Sequence, residues 1–415
     1  MSAADDQPTT ARADGGRPAD GGVRDVPGEE LARGRFARAW KRFHLVPLGI
    51  LMAAVVAATC TGYVVREQQR EQAMRPPQEA VGVESSLPGQ CLSPNHPFPT
   101  ANPWSNDARP SSEQAFQLGL STGDQTVVEG KDGWVFWGDV QANNLSQSVG
   151  RRVLSQQEMT QWASHYAALA ERLRAQGVDF VIQVVPAKWD VYPEQLPDWA
   201  QELRGPTTLD YLRYSHPELP VMDMRDALVA AKATAPVYQP LNSHWTPYGG
   251  TVGWTAFAAC VGAMNPKYAV LRPLDVIGTT LDQGNNEFAS FGRLPDGDRS
   301  ASPVWGTPPG PMTITDKTGK ARQVTTDYGT DVLELPAVTR NESAQSDLSA
   351  LILRDSQGNA LAPGWQQGFA TTIQVAGALD HPETPVDVQS YVDEHHPDIV
   401  VLEVTERFLN FVPIG

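Results

Sequence analysis

The 415-residue chain carries 48 acidic against 32 basic side chains, a formal net charge of −16. A phosphate-binding surface is normally basic, so this balance argues against nucleic acid as a partner. Three cysteines are too few for a fold built on disulfides, and the length accommodates one large domain or two ordinary ones.

Residues 1–44 are rich in Ala, Asp, Gly, Pro and Arg, the composition of a disordered cytoplasmic tail. Residues 45–65 then run without a charge, about 31 Å of helix and enough to cross a bilayer core, so a transmembrane anchor is expected. Arg33, Arg35, Arg38, Lys41 and Arg42 precede the run with no acid among them. That asymmetry puts the amino terminus in the cytoplasm and the rest outside it, a single-pass cell-membrane protein. A cleaved signal peptide is the rival, since residues 53–58 are small enough for processing; the long leader favours an uncleaved anchor. Residues 66–112, rich in Gln, Glu, Pro and Ser, read as an extracytoplasmic linker. Residues 113–415 read as one domain.

Within that domain Gly130-Lys131-Asp132-Gly133 turns the chain into Trp134-Val135-Phe136-Trp137, the pattern of a β-hairpin. Ser155 and Glu158 form a capping box, and Met159, Trp162, Tyr166, Leu169 and Leu173 recur at helical spacing up to the helix-ending Gly177. Residues 180–185 follow as a nearly continuous apolar strand, of the kind buried on both faces of a parallel sheet. A short strand at Val221-Met222, helices over 225–235 and 248–261, and strands at 351–353 and 399–402 continue the alternation, which implies an α/β layer architecture. Residues 265–350, rich in Gly, Pro, Thr and Asp, read as a β-rich insertion with strand-like pieces at 312–314 and 332–335.

Two stretches carry chemistry. Asn242-Ser243-His244-Trp245-Thr246-Pro247-Tyr248-Gly249-Gly250 places a histidine at the mouth of a helix. Leu351-Ile352-Leu353-Arg354-Asp355-Ser356 places a serine just past an apolar run. A serine hydroxyl is a poor nucleophile at pH 7 unless an imidazole takes its proton and a third group holds the imidazole's other nitrogen. The backbone N–H groups of Ser356 and Gly358 would be the oxyanion donors. Asp223 and Asp226 are further carboxylates near the base motif. His395 and His396, adjacent on one helix, lack a spaced ligand set, so no metal and no cofactor is expected. Cys60 lies inside the apolar run, which leaves Cys91 and Cys260 as the possible disulfide, against two separate thiols.

Asn242-Ser243-His244-Trp245-Thr246 resembles the Asp-x-His-Trp-Thr motif of the alginate O-acetyltransferase family, the AlgX and AlgJ type of SGNH hydrolase-like domain. Residues 351–356 resemble its strand and nucleophile block. Gly130-Lys131-Asp132-Gly133-Trp134-Val135-Phe136, Pro186-Ala187-Lys188, Val191-Tyr192-Pro193, Pro397-Asp398-Ile399-Val400-Val401-Leu402 and Glu406-Arg407 extend the likeness over roughly residues 127–409. The resemblance implies an α/β, flavodoxin-like parallel sheet with helices on both faces, Ser356 as nucleophile and His244 as general base. It also implies a polysaccharide acceptor, and an acetyl donor supplied by a multipass membrane O-acyltransferase.

The family's carboxylate position is filled here by Asn242. In a serine protease the corresponding change lowers turnover by on the order of 10⁴, whereas cysteine proteases use an asparagine in that role. Asn242 therefore either orients His244 through its amide oxygen or leaves the site slow. Lys188, Trp245, Tyr248 and Arg354 are the expected substrate-binding residues, offering positive charge and ring faces to a sugar. A carbohydrate acetylesterase would use the same residues with water as acceptor, and a non-catalytic polysaccharide-binding scaffold would keep the fold and tolerate Asn242.

Overall fold

The computed structural model describes residues 46–74, 110–122, 126–291, 299–325, 329–377, 379 and 385–413. The expected tail, 1–44, and most of the expected linker lie outside these residues. The uncharged run falls on helix α1 (Val46–Met74), where Ile50, Leu51, Met52, Val55, Val56, Tyr63 and Val64 are exposed. Among the described residues no helix is long and apolar enough to cross a membrane. α1 continues beyond the uncharged run to Met74, and the end of the expected linker opens a helix instead, α2 (Pro110–Thr122). α2 belongs to the folded body: Phe116 is buried, its ring 6.3 Å from Trp199, and Arg151 pairs with Glu113 at 2.8 Å.

The hairpin forms as expected, with β1 (Val127–Glu129) antiparallel to β2 (Val135–Trp137), followed by the short α3 (Asn144–Ser148). Next come α4 (Gln156–Ala175), β3 (Asp179–Val185), α5 (Lys188–Val191), α6 (Asp198–Leu203), α7 (Thr208–Ser215), β4 (Val221–Asp223), α8 (Arg225–Ala231) and α9 (Pro247–Met264). The capping box at Ser155 and Glu158 is reciprocal, and the chain leaves α4 through Gly177 at φ +77°. α4 buries Met159, Trp162, Ala163, Tyr166, Leu169 and Leu173, each large apolar side chain contributing about 1.5–3 kcal/mol.

The stretch expected as an insertion holds β5 (Val276–Gln283), β6 (Arg299–Trp305), β7 (Met312–Thr315), β8 (Ala321–Val324) and β9 (Ala337–Arg340). β10 (Ser346–Arg354), α10 (Gly358–Gly368), β11 (Phe369–Ala376), α11 (Val388–His395) and β12 (Ile399–Thr405) complete the described chain. The main sheet has eight strands in the order β4-β3-β12-β10-β11-β9-β7-β8. β4, β3, β12, β10 and β11 are parallel, while β9, β7 and β8 run antiparallel to their neighbours.

The sheet is therefore mixed, which corrects the expectation of a parallel one. The insertion does not stand apart: three of its strands extend the sheet from the edge of β11, and β5 and β6 pair separately as an antiparallel ribbon. Residues 332–334 form a 3-10 turn where a strand was expected, because the Asp331 carboxylate accepts from the Leu333 N–H and curls the chain.

Alternate residues of the parallel strands feed two cores. Val181, Val185, Ile352 and Val401 pack with Trp254, Phe257 and Trp365 of α9 and α10 on one face. Ile182, Val184, Leu351, Leu353, Val400 and Leu402 pack with Met159, Trp162 and Tyr166 of α4 on the other. Burial on both faces is why these strands read as unbroken apolar runs.

α9 begins just after the histidine motif and α10 just after the serine, so their packing sets the distance between the two. They meet where there is no side chain. A Cβ added at Gly250 would collide with the Ala360 backbone carbonyl, and one at Gly364 would lie 2.5 Å from Trp254 Cγ. Gly250→Ala is expected to lower the stability of the domain by about 1–3 kcal/mol, the usual cost of overpacking, measured as a fall in urea midpoint with unchanged slope.

Candidate active site

The carboxyl ends of β3, β12 and β10 lie side by side, with Val185 opposite Thr405 and Leu402 opposite Leu353. In an open α/β sheet this is the edge where functional groups gather. β10 delivers Asp355 and Ser356, and β3 delivers Pro186, Ala187 and Lys188. The base motif reaches the same edge ahead of α9, whose N-cap is Thr246, its hydroxyl accepting from the Gly249 N–H at 3.0 Å.

His244 Nε2 lies 2.8 Å from Ser356 Oγ, and His244 Nδ1 lies 2.8 Å from Asn242 Oδ1. The direction of each hydrogen bond follows from the Asn242 amide. Its Nδ2 donates to the Asn285 carbonyl at 2.7 Å, which can only accept, so the amide oxygen must face His244. That oxygen accepts from both the His244 backbone N–H at 2.9 Å and Nδ1–H. Nε2 is thereby left as the acceptor for the Ser356 hydroxyl, the tautomer a general base requires. Asn242 thus takes up the orienting function left open by its amide side chain.

His244 keeps 31% of its side chain exposed, although protein surrounds the ring closely on its remaining sides. Burial lowers its pKa, with the Arg407 guanidinium acting in the same direction and Glu287, Asp355 and Asp331 opposing it, so the ring is neutral at pH 7. Ser356 is half-buried and reachable.

Two residues not singled out from sequence hold this geometry. Gln357, directly after the serine and buried, staples the nucleophile turn to the base loop. Its Nε2 donates to the Ser243 carbonyl at 3.0 Å, its Oε1 accepts from the Trp245 N–H at 3.2 Å, and its carbonyl accepts from Trp245 Nε1 at 2.8 Å. Its place beside Ser356 was the only sequence signal. Glu287 accepts from the Ser243 N–H at 2.6 Å and from Trp137 Nε1 at 3.1 Å, with Oε2 3.9 Å from His244 Nδ1. Lying 43 residues beyond His244 (287 − 244) in the irregular stretch, it had no sequence signal.

Other expectations are corrected. Lys188 does not face substrate: its ammonium is buried and donates to the carbonyls of Val135, Pro240 and Asn242 at 2.6–3.0 Å, bracing the base loop from behind. Arg354 is wholly buried, donating to Gln374 Oε1, Asn359 Oδ1 and the carbonyls of Asp355 and Thr330, and burial lowers its pKa to about 10. Trp245 is a core side chain, 2% exposed, whereas Tyr248 is half-buried beside the motif.

Of the two amides expected as oxyanion donors, the Gly358 N–H is engaged by the Asp355 carbonyl at 3.3 Å. Asp355 points away from the imidazole, accepting from the Gln357 N–H and from Thr405 N–H and Oγ. Asp223 is taken up by Arg213 and Arg225. Cys60 is free and Cys260 is disulfide-bonded; its expected partner, Cys91, lies outside the described residues. Among the described residues no group of three or more His, Cys, Asp or Glu could hold a metal.

Residues 127–290 match the family model described as the SGNH hydrolase-like domain of the acetyltransferase AlgX. This stretch is similar to SGNH hydrolase-like domains of the AlgX type. The matched stretch includes His244 and Glu287 and stops before Ser356. A probable alginate O-acetylase AlgJ from Pseudomonas syringae pv. tomato is 27% identical over 150 residues, 34% of this chain and 34% of that protein, so the match spans about a third of the relative. Bacillus cereus PatB1 with a sulfonyl adduct is similar at a TM-score of 0.48 and 19% identity, covering 70% of this chain and 99% of that one. The O-acetyltransferase domain of Pseudomonas putida AlgJ has a TM-score of 0.41 and 18% identity, covering 70% and 94%.

Gln357→Ala removes both side-chain bonds of the staple and leaves buried partners unmet, at a cost of about 1–3 kcal/mol. The expected result is a lower melting temperature together with a fall in ester turnover carried by kcat, measured on the same preparation.

Proposed function

We propose that this chain is a membrane-anchored O-acetyltransferase working outside the cytoplasm on a cell-envelope or secreted polysaccharide, through an acetyl-enzyme on Ser356. The observation that carries this reading is the hydrogen-bonded relay from Asn242 through His244 to Ser356, in a domain whose family model is named for acetyl transfer.

In the first half-reaction Ser356 Oγ attacks the carbonyl carbon of an acetyl donor while its proton passes to His244 Nε2. The negative charge on the carbonyl oxygen is met by the Ser356 N–H. The bond from the donor's carbonyl carbon to its leaving-group oxygen then breaks, and that oxygen takes the proton from Nε2. In the second half a sugar hydroxyl gives its proton to Nε2 as its oxygen attacks the acetyl carbon; the bond from that carbon to Ser356 Oγ breaks, and Oγ takes the proton back from Nε2, which releases the acetylated sugar and restores the free hydroxyl. A multipass membrane O-acyltransferase is the expected source of the acetyl group. Tyr248 is the residue retained from the expected set as a candidate contact for the sugar.

The anchor proposed for residues 45–65 is supported by the lack of charge in that run, by the exposed apolar side chains from Ile50 to Val64 and by the five basic residues that precede it. Full-length chain expressed in a bacterial host should stay in the membrane pellet after carbonate washing and be cleaved by protease added to spheroplasts. Recovery in the wash would overturn the anchor.

The chemistry is tested with full-length chain in detergent, incubated with an activated acetyl ester and then with oligosaccharide. An acetyl adduct mapping to Ser356 is expected by intact mass and peptide mapping. Ser356→Ala should abolish it and lower turnover by on the order of 10⁴ or more, as loss of a nucleophile does. Acetyl transfer to sugar supports the transferase, and release only to water supports an esterase. Glycan binding that survives Ser356→Ala, with no adduct in the wild type, would identify a scaffold.

A further inference from the structure

We propose that Glu287 supplies the negative charge missing at position 242, so that the orienting and the charge-balancing functions of a triad carboxylate are divided between two residues. The inference rests on the acyl-transfer reading and deepens it. Asn242 orients the imidazole but, being neutral, balances no charge. When the Ser356 proton reaches Nε2 the ring becomes an imidazolium, and its stability then sets how readily the serine is activated.

Glu287 is placed to meet that charge. Its Oε2 lies 3.9 Å from His244 Nδ1, on the same edge of the ring that Asn242 Oδ1 contacts at 2.8 Å. The carboxylate cannot readily swing away. Oε2 accepts from the Ser243 N–H at 2.6 Å and Oε1 from Trp137 Nε1 at 3.1 Å. Its backbone is laced to the base loop as well: the Glu287 N–H donates to the Leu241 carbonyl at 3.0 Å, the Asn285 N–H to Gln239 Oε1 at 3.1 Å, and Asn242 Nδ2 to the Asn285 carbonyl at 2.7 Å. The neighbouring Phe288 is fully buried and pins the segment.

The charged groups acting on His244 are Glu287, Arg407, Asp355 and Asp331. Arg407 opposes an imidazolium, Asp355 is committed to Gln357 and Thr405, and Asp331 to Leu333 and Asn359. Among the described residues Glu287 is the carboxylate within ion-pair distance of the ring. Burial acts to raise its pKa, yet the His244 ring, the Ser243 N–H and Arg407 hold it below the ordinary glutamate value, so it is ionised at pH 7.

Glu287 is a positioning residue acting through His244, and the test must separate its charge from its structural bonds. Glu287→Gln, Asn242→Asp and the double variant would be compared in the full-length chain. Two readouts apply: the pH profile of acetyl-ester turnover, and the titration of the His244 ring followed by NMR of histidine-labelled protein. In Glu287→Gln, turnover at the plateau should fall on the order of tenfold to a hundredfold. The acid limb and the ring titration should both move to lower pH, because loss of a carboxylate disfavours the imidazolium. In the double variant the new aspartate should restore turnover to within a few-fold of wild type and return the titration toward its original position.

A merely structural role for Glu287 predicts a loss that Asn242→Asp does not restore, with the ring titration unmoved, and that outcome overturns the proposal. If wild type forms no acetyl-serine, the acyl-transfer reading fails and the NMR titration alone decides. A downward move in Glu287→Gln upholds the charge pairing, and no move overturns it.

Discussion

The site depends on which way one amide points. Asn242 sits between a carbonyl that can only accept and an imidazole whose useful state requires Nδ1 to donate. The Asn285 carbonyl fixes the amide, the amide fixes the tautomer, and the tautomer leaves Nε2 free to take the serine's proton. An asparagine is adequate for this because orientation needs a directed dipole, whereas charge balance needs a net charge and tolerates greater distance. Substitution at a motif position therefore does not by itself mark a retired site; the second function can sit on another stretch of chain.

Around this relay the buried polar groups behave as struts. Lys188 ties β2 and the base loop through three carbonyls, Arg354 gathers four oxygens beneath the nucleophile turn, and Asp355 joins that turn to the end of β12. Desolvating an ammonium or a guanidinium is costly, and several hydrogen bonds to each of these groups offset that cost. A residue in such a strut is expected to be intolerant of substitution without ever meeting substrate.

The layers of the fold were legible because burial leaves a periodic trace. The capping box and apolar spacing of α4, the unbroken run of β3, and the serine after β10 all write their environment into local sequence. The mixed sheet was not legible. β7, β8 and β9 are short strands in a stretch rich in Gly, Pro and Thr, and strand pairing is a long-range choice that a window of residues does not record. Lys188 and Arg354 were assigned to substrate because sequence reports a charge and not the direction in which it points. Gln357 and Glu287 act across 114 and 44 residues of chain to reach the base loop, separations at which no spacing rule applies.

β12 is the final strand of the described chain yet lies in the interior of the sheet, between β3 and β10. The strand that leads to Ser356 and the strand that leads to Lys188 do not pair with each other; each pairs with Ile399–Thr405, which lies between them. During synthesis, then, the base loop and the serine turn are both made before the strand that joins their scaffolds. The relay from Asn242 to Ser356 therefore rests on a scaffold that is joined only when β12 is in place between its two neighbours.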